Sequence, residues 1–237
     1  MNLLKDHKER PLLISTFVTL VLLCLIEIRF PIFSIFIDSP IEGLLTADGT
    51  KSILSGLLIG LISAYIFYVF IDFIPRKRKE KETMEVLNSL IAATLDAYKR
   101  CRVFGHETAL PNVDKSVLEK DWLEKTQVIF KSNNSKYLPL LLAMQTSYTR
   151  LEDFRHVLPL AVSLSPKHTM QWLVVIDKIR LLAENYGENP KVPIDEQHLI
   201  DKNTEENPIL EYKSTLNFRM LEVVEESIKW LYPSKNG

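Results

Sequence analysis

The sequence is poor in glycine and cysteine and has no excess of positive charge. Only seven glycines occur among its 237 residues, and none forms a GxGxxG or P-loop pattern, which needs glycines for close approach to phosphate. The formal net charge of −1 argues against general nucleic-acid binding, which requires many unpaired Lys and Arg. The two cysteines, Cys24 and Cys101, are too few for a disulfide framework. We therefore expect no cofactor and no direct sequence-specific contact with nucleic acid.

Motifs for catalysis are also missing, since the chain has no HExxH, HxH or GxSxG pattern. Asp153 and His156 lie three residues apart on a predicted helix and could share a proton or hold a metal, but a solvated helix face is the ordinary interpretation. Glu211 and Lys213 have the ExK spacing of some nucleases, but they lie on a predicted helix. An acidic segment could bind a cation or be simply solvated; its members are Asp195, Glu196, His198 and Asp201. We predict no catalytic residue, no metal ligand and no enzymatic activity.

Long apolar segments are what the sequence does contain. Ser52–Ile74 would form about 34 Å of helix, enough to cross a hydrocarbon core of about 30 Å. Leu12–Ile26 alone gives about 22 Å of helix. Glu27 and Arg29 interrupt the apolar segment, which resumes over Phe30–Ile37. Charged side chains near a membrane interface can reach water, so we predict one uncleaved helix over about residues 11–30. The two segments together predict a transmembrane hairpin over residues 11–74.

The basic residues predict the orientation of this hairpin. Three precede the first segment, namely Lys5, Lys8 and Arg10, and five follow the second, namely Arg76, Lys77, Arg78, Lys79 and Lys81. The connecting stretch 38–51 holds a single basic residue, Lys51. The positive-inside rule then places residues 1–10 and 75–237 in the cytosol, in a multi-pass protein of the cell inner membrane. The cluster Arg76–Lys79 is read as this topology signal or as a specific site for anionic lipid.

Small residues recur every four positions in the second apolar segment. Gly56, Gly60 and Ala64 lie on one face of the predicted helix and leave a shallow groove. Another helix can approach closely there and gain van der Waals contact that lipid does not supply. The groove could pack against the first helix of the hairpin, or it could support self-association of the chain.

The remainder of the chain predicts an all-α cytosolic domain. Apolar residues recur at spacings of three and four, and helix-start signals occur at Ser116, Ser165-Pro166 and Asn207-Pro208. The five predicted helices cover about 76–103, 116–131, 137–164 with a bend at Pro159, 166–186 and 208–232. Trp122, Trp172 and Trp230 are interpreted as core or interface residues, and His106 as part of a loop. These helices are enough for one bundle.

The layout as a whole resembles a known class of membrane effectors. The hairpin Leu12–Ile74, the basic junction RKRKEK and the helical remainder are similar to the two-transmembrane effectors of bacterial antiphage defence systems, notably those encoded beside retron reverse transcriptases. The resemblance implies abortive infection, in which the effector compromises the inner membrane after a phage disturbs the host. It also implies a partner, a reverse transcriptase with its RNA–DNA product, besides the membrane lipids. The alternative is a non-toxic membrane anchor that recruits a cytosolic protein complex.

Overall fold

The computed structural model describes residues 10–27, 48–102 and 108–233 of the chain. Within these ranges it has eight α-helices and no strand, so the predicted all-α class is confirmed. The helices, labelled α1 to α8, are Arg10–Glu27, Asp48–Tyr68, Ile74–Arg100, Lys120–Lys131, Tyr137–His156, Leu158–Leu164, Pro166–Ala183 and Leu210–Leu231. Three 3-10 turns also occur, at Leu110–Asn112, Lys115–Leu118 and Ile194–Leu199.

The chain divides into two compact units, Met1–Lys79 and Glu80–Gly237. In the first unit, α1 and α2 contact each other. Among the described residues one helical run, Ser52–Arg100, contains a stretch long and apolar enough to cross a membrane, whereas the apolar helix Arg10–Cys24 is shorter. Length and composition are thus consistent with membrane association through α2. The second span of the predicted hairpin stays a prediction.

The backbone remains helical from α2 into α3 through one π-helical turn, Val69–Phe73. The Ile74 N–H donates to the carbonyl of Val69, which is the five-residue spacing of a π-helix. Pro75 comes next, and in a regular α-helix its ring would clash with the carbonyl of Ile71. The wider π turn lies at this carbonyl, so the helix passes the proline without ending. The apolar helix therefore continues into α3 without a break.

In the second unit, α3 supplies the central helix of the core. Every residue from Ser89 to Ala97 is buried, so this part of α3 is enclosed on all sides. Leu87, Ile91 and Leu95 follow the helical spacing of apolar residues, and none of their side chains is exposed. The other faces of this segment carry mainly alanine, serine and threonine, which are buried as well. The periodic apolar pattern therefore marked only part of the buried surface.

Two tryptophans and a phenylalanine join the helices around α3. The rings of Phe154 and Trp172 stack with centroids 5.6 Å apart, and the Trp172 ring contacts the Trp230 ring at 5.2 Å. The Trp172 indole donates to the Phe154 carbonyl at 3.2 Å, and the Trp230 indole donates to Asn88 Oδ1 at 2.8 Å. Both indoles are thus buried with their polar atoms satisfied, as core residues. α7 packs against α5, α6 and α8, and α8 also packs against α4 and α5.

The prediction that Ser116 caps the second cytosolic helix is wrong. Asp114 caps a 3-10 turn here, because its carboxylate accepts the Ser116 N–H at 2.9 Å. The Ser116 hydroxyl is occupied by the ammonium of Lys99 at 2.7 Å. Glu119 is extended, with ψ of 139°, and α4 begins only at Lys120. A contact with a residue seventeen positions away thus overrides a local capping signal.

The predicted helix over residues 137–164 is two helices. α5 ends at His156 and α6 begins at Leu158, with Val157 between them at φ −87° and ψ 3°. Pro159 then occupies the first turn of α6, where its missing N–H costs nothing. The start of α7 is confirmed, because the Ser165 side chain accepts the His168 N–H and Pro166 follows it. α8 begins later than predicted, at Leu210 rather than at residue 208.

Candidate membrane-facing site

The contact between α1 and α2 uses one stripe of side chains on each helix. The buried or half-buried residues of α2 recur at spacings of three and four, and they include Ser55, Leu58, Ile62 and Tyr65. Those of α1 are Leu13, Thr16, Thr19 and Leu23. The hydroxyls of Thr16 and Thr19 donate to the carbonyls of Leu12 and Ser15, each at 2.9 Å. Because these hydroxyls are satisfied within α1, the threonines can pack in an apolar interface.

The predicted small-residue face of α2 points away from this contact. Successive helical residues are about 100° apart, which places the stripe of Gly56, Gly60 and Ala64 about 180° from the stripe facing α1. All three residues are exposed. A Cβ atom built on Gly56 or Gly60 would have no neighbour within 4 Å. In the described part of the chain, the groove is therefore open and α1 does not fill it.

The cytosolic end of α2, on the predicted orientation, holds one acidic residue among aromatic ones. Asp72 lies in the π turn, and its carboxylate is 3.4 Å from the guanidinium of Arg76. Arg76 also donates to the Tyr68 hydroxyl at 3.4 Å and lies over the Phe73 ring, 6.0 Å from its centroid. The guanidinium therefore points back along the helix toward the apolar residues. This arrangement neutralises Asp72 at the edge of the apolar stretch, where an unpaired carboxylate would be costly.

The predicted basic cluster Arg76–Lys79 occupies the first two turns of α3. Arg76, Arg78 and Lys79 are exposed, and Lys77 is half-buried. Because the residues are consecutive, their Cα–Cβ bonds point to all sides of the helix. Positive charge therefore surrounds the helix directly after its aromatic segment.

No known protein family, curated protein or solved structure matches this chain. Its function is therefore inferred from its own residues and from the layout of its sequence.

In the described part of the second unit, the candidate residues for catalysis or metal binding lie in separate places. Asp153 pairs with Arg150 at 3.3 Å, and His156 is exposed at the end of α5. No group of three or more metal-ligating side chains occurs within the described ranges, which include the acidic segment. In that segment the Asp195 carbonyl bonds to the His198 ring at 2.8 Å, and the Asp201 carboxylate accepts a backbone N–H from α5. His106 lies outside the described residues.

Lys213, half of the ExK pair, has a structural role that its spacing did not indicate. The side chain is buried, and its ammonium donates to the Asp201 carbonyl at 2.8 Å and to Asn203 Oδ1 at 3.0 Å. Burial lowers the pKa of Lys213, and Asp201 opposes that effect. Glu211 is exposed. Lys213 therefore ties the segment before α8 to the bundle and does not form a joint site with Glu211.

Asp96 is a buried carboxylate that sequence reasoning missed. It has no exposed surface, and its Oδ2 atom accepts a hydrogen bond from Arg100 Nε at 2.8 Å. Its Oδ1 atom is buried without a hydrogen-bond partner among the described atoms. Burial raises the pKa of Asp96, while the guanidinium of Arg100 acts in the opposite direction. The available signal was a single acid in the apolar run of α3 with an arginine four residues later.

Proposed function

We propose that α1 and α2 form a transmembrane hairpin, with both chain termini in the cytosol. The basic flanks support this orientation, and the packing of α1 on α2 supports insertion of the two helices as a pair. α1 has 18 residues, which is about 27 Å of helix and close to the thickness of a hydrocarbon core. Reporter fusions at Met1 and Gly237 should both read cytosolic, and an insertion near Glu42 should read outside. A carboxy terminus on the outer side would exclude this topology.

On this topology, the chain acts as a membrane-embedded effector of bacterial antiphage defence, of the retron type. The layout of hairpin, basic junction and helical unit supports this assignment through its resemblance to such effectors. The helical unit would receive the signal from a reverse transcriptase with its RNA–DNA product, and the hairpin would compromise the inner membrane. The action needs no catalytic chemistry.

Self-association through the small-residue face is the step that would produce the membrane lesion. Two helices cannot enclose a pore, so several chains must act together. The observation that carries this proposal is the open groove at Gly56 and Gly60, on the side of α2 opposite α1. A second copy of α2 can approach closely there, because no side chain of the described residues occupies the space. The occupant we propose is the same face of another chain.

Gly60→Leu tests this function directly. The new side chain fills the groove, keeps the helix apolar and meets no neighbour within 4 Å of its Cβ atom, so insertion should be unaffected. We expect a normal membrane level, loss of crosslinked oligomers, and loss of both growth arrest and depolarisation on induced expression. A potential-sensitive dye and crosslinking in membranes measure these effects.

Ser55→Leu is the matched control, because Ser55 lies in the stripe that faces α1. Overpacking there should reduce the amount of folded protein in the membrane rather than leave it stable and silent. A stable Gly60→Leu protein that still oligomerises and still kills would exclude assembly through this face.

The alternative function, a non-toxic scaffold, is favoured by a different surface. In the second unit α7 exposes Met170, Leu173 and Val174, which suits contact with a protein partner. A wild-type chain that inserts, co-purifies with a soluble partner and leaves the membrane polarised even in phage-infected cells would support the scaffold and exclude the effector.

A further inference from the structure

Residues 188–206 form a strap that connects α7 to α8 along the surface of the second unit and contains the acidic segment described above. All of these residues lie in the described part of the chain, and none of them is buried. Ile194, an apolar residue of the strap, is 87% exposed. Burial of apolar area therefore contributes little to holding the strap on the bundle. Segments held in this way open locally at a lower cost than the packed core.

Two residues, Asp201 and Asn203, join the strap to the bundle. The Asp201 carboxylate accepts the N–H of Tyr137 at 2.7 Å. The Lys213 ammonium donates to the Asp201 carbonyl at 2.8 Å and to Asn203 Oδ1 at 3.0 Å. Asn203 also donates from its Nδ2 atom to the carbonyl of Asn133 at 2.7 Å. The strap is therefore attached by polar groups near the end of α4 and the starts of α5 and α8.

The contacts near the two ends of the strap are polar as well. The Tyr212 hydroxyl donates to Asn189 Oδ1 at 2.7 Å. Asn207, the residue after the strap, donates from its Nδ2 atom to the carbonyls of Ile200 and Lys202 at 2.9 and 2.7 Å. Each of these groups can bond to water when the strap is detached, so the net loss for each hydrogen bond is modest.

Lys213 gives the strap two positions in which a charge is satisfied. Its side chain is 1% exposed, and within the described residues both acceptors of its ammonium belong to the strap. With the strap in place the buried charge is hydrogen-bonded, and with the strap detached the same ammonium is open to water. A half-detached strap would leave the charge buried with an acceptor lost, which is costly. Detachment of the whole strap is therefore favoured over partial opening.

We propose that residues 188–206 are a releasable strap, which detaches as a unit while the helices stay packed and so controls access to Lys213 and the first turn of α5. The strap holds six acidic residues against two lysines, a composition that is stable in water without a packed core. Its release uncovers two hydrogen-bond donors of the bundle, the Lys213 ammonium and the Tyr137 N–H. The inference goes beyond the proposed function and applies to effector and scaffold alike, because it concerns the second unit alone.

Pulsed acetylation of lysine amines tests the strap in the purified full chain in detergent. A short pulse of acetic anhydride, followed by digestion and mass spectrometry, gives the acetylation rate of each lysine. In the wild type, Lys213 should react at least about tenfold more slowly than the exposed Lys125, the factor that corresponds to one hydrogen bond to a charged group. The rate at Lys213 should stay constant in low denaturant, because local opening exposes little surface whereas global unfolding exposes much.

Asn203→Ala weakens the strap without changing a helix. The variant removes an acceptor of the Lys213 ammonium, so acetylation of Lys213 should become at least about tenfold faster. Lys178, half-buried in its ion pair with Glu222, should keep the wild-type rate if the bundle stays folded. Tryptophan fluorescence gives a second check of folding, because all three tryptophans lie in the second unit.

Asn88→Ala is the matched control for the loss of an asparagine side chain. It removes the acceptor of the Trp230 indole, which lies about 25 Å along α8 from Lys213. The strap contacts are unchanged in this variant, so Lys213 should be acetylated at the wild-type rate. Faster acetylation of Lys213 in both variants would attribute the effect to general loss of stability and overturn the proposal.

Three further results would also overturn it. Wild-type Lys213 that reacts as fast as Lys125 would mean that the strap is not closed in solution. Acetylation of Lys213 only together with Lys178 and a change in tryptophan fluorescence would mean that the whole unit must unfold first. An unchanged rate in folded Asn203→Ala would mean that the latch does not hold the strap, and if this variant does not fold, the denaturant dependence of the wild type decides. None of these results depends on membrane insertion, which the reporter fusions test separately.

Discussion

Asp114 caps the turn at which the local sequence predicted Ser116 as the cap. Its carboxylate accepts hydrogen bonds from the Lys99 ammonium at 2.8 Å and the Ser116 N–H at 2.9 Å. The Lys99 hydrogen bond, followed by the Ser116 contacts, lowers the pKa of Asp114 to about 2. Ser116 and Glu119 resemble a capping box only when Lys99 is ignored. The hydrogen bond from the Ser116 N–H to Asp114 is local, but the engagement of the Ser116 hydroxyl by Lys99, seventeen residues away, could not be predicted from the sequence.

Asp114→Asn should destabilise the second unit in a pH-dependent way. Because the folded pKa is lowered, the carboxylate contributes stability above its unfolded pKa, and that contribution disappears as the pH falls through about 2. At pH 7 we expect a loss of about 1 kcal/mol or less, since the partly exposed pair is screened by solvent. Unfolding of the full chain in detergent, followed by tryptophan fluorescence, measures the difference from wild type. The difference should shrink between about pH 4 and pH 2.

Asp195→Asn provides the comparison, since it removes an exposed carboxylate from another 3-10 turn. Its stability should stay within about 0.5 kcal/mol of wild type. An Asp114→Asn deficit of the same size at pH 2 and pH 7 would show that charge does not cause the effect.

At the scale of helices, three prolines have three different effects on helix boundaries. Pro166 begins α7 as expected, while Pro159 separates α5 from α6 where a bend was predicted. Pro75 does neither, because the π turn before it removes the clash. The periodicity of Gly56, Gly60 and Ala64 predicted their common face. Which side of α2 packs on α1 could not be predicted, since it depends on threonines of α1 whose hydroxyls are satisfied internally.

The cap of α7 gives a prediction for a helix as a unit. The Ser165 hydroxyl accepts the His168 N–H at 3.2 Å and bonds to the His168 ring at 2.7 Å. Ser165→Ala should lower the free energy of unfolding by about 1 kcal/mol, because the first turn of α7 loses its cap. Ser163→Ala, which removes a hydroxyl bonded to the Leu160 carbonyl within α6, should change it by less than about 0.5 kcal/mol. Denaturant unfolding, followed by the fluorescence of Trp172 and its neighbours, compares the free energies of unfolding of the two variants. Equal losses in both would show that the Ser165 cap contributes no more than the Ser163 hydrogen bond.

At the scale of the whole chain, one helical backbone, Ser52–Arg100, includes both the membrane-length stretch and the core helix of the second unit. An effector could carry a signal along this backbone, whereas a scaffold has no need of it. Inserting two alanines after Lys79 keeps the helix but turns one part about 200° relative to the other. Inserting seven alanines turns it about 700°, which returns to within about 20° of the original phase.

If the proposed effector transmits its signal through helix orientation, the two-alanine variant should lose depolarisation and growth arrest, and the seven-alanine variant should regain both. The seven-residue insertion displaces the parts by about 10 Å, far more than the 3 Å of the shorter one. Recovery would therefore identify angular phase, and not distance, as the transmitted quantity. Membrane level and tryptophan fluorescence must match wild type in both variants. Activity in both would mean that the membrane helices act independently of this phase, and activity in neither would mean that the spacing itself is needed.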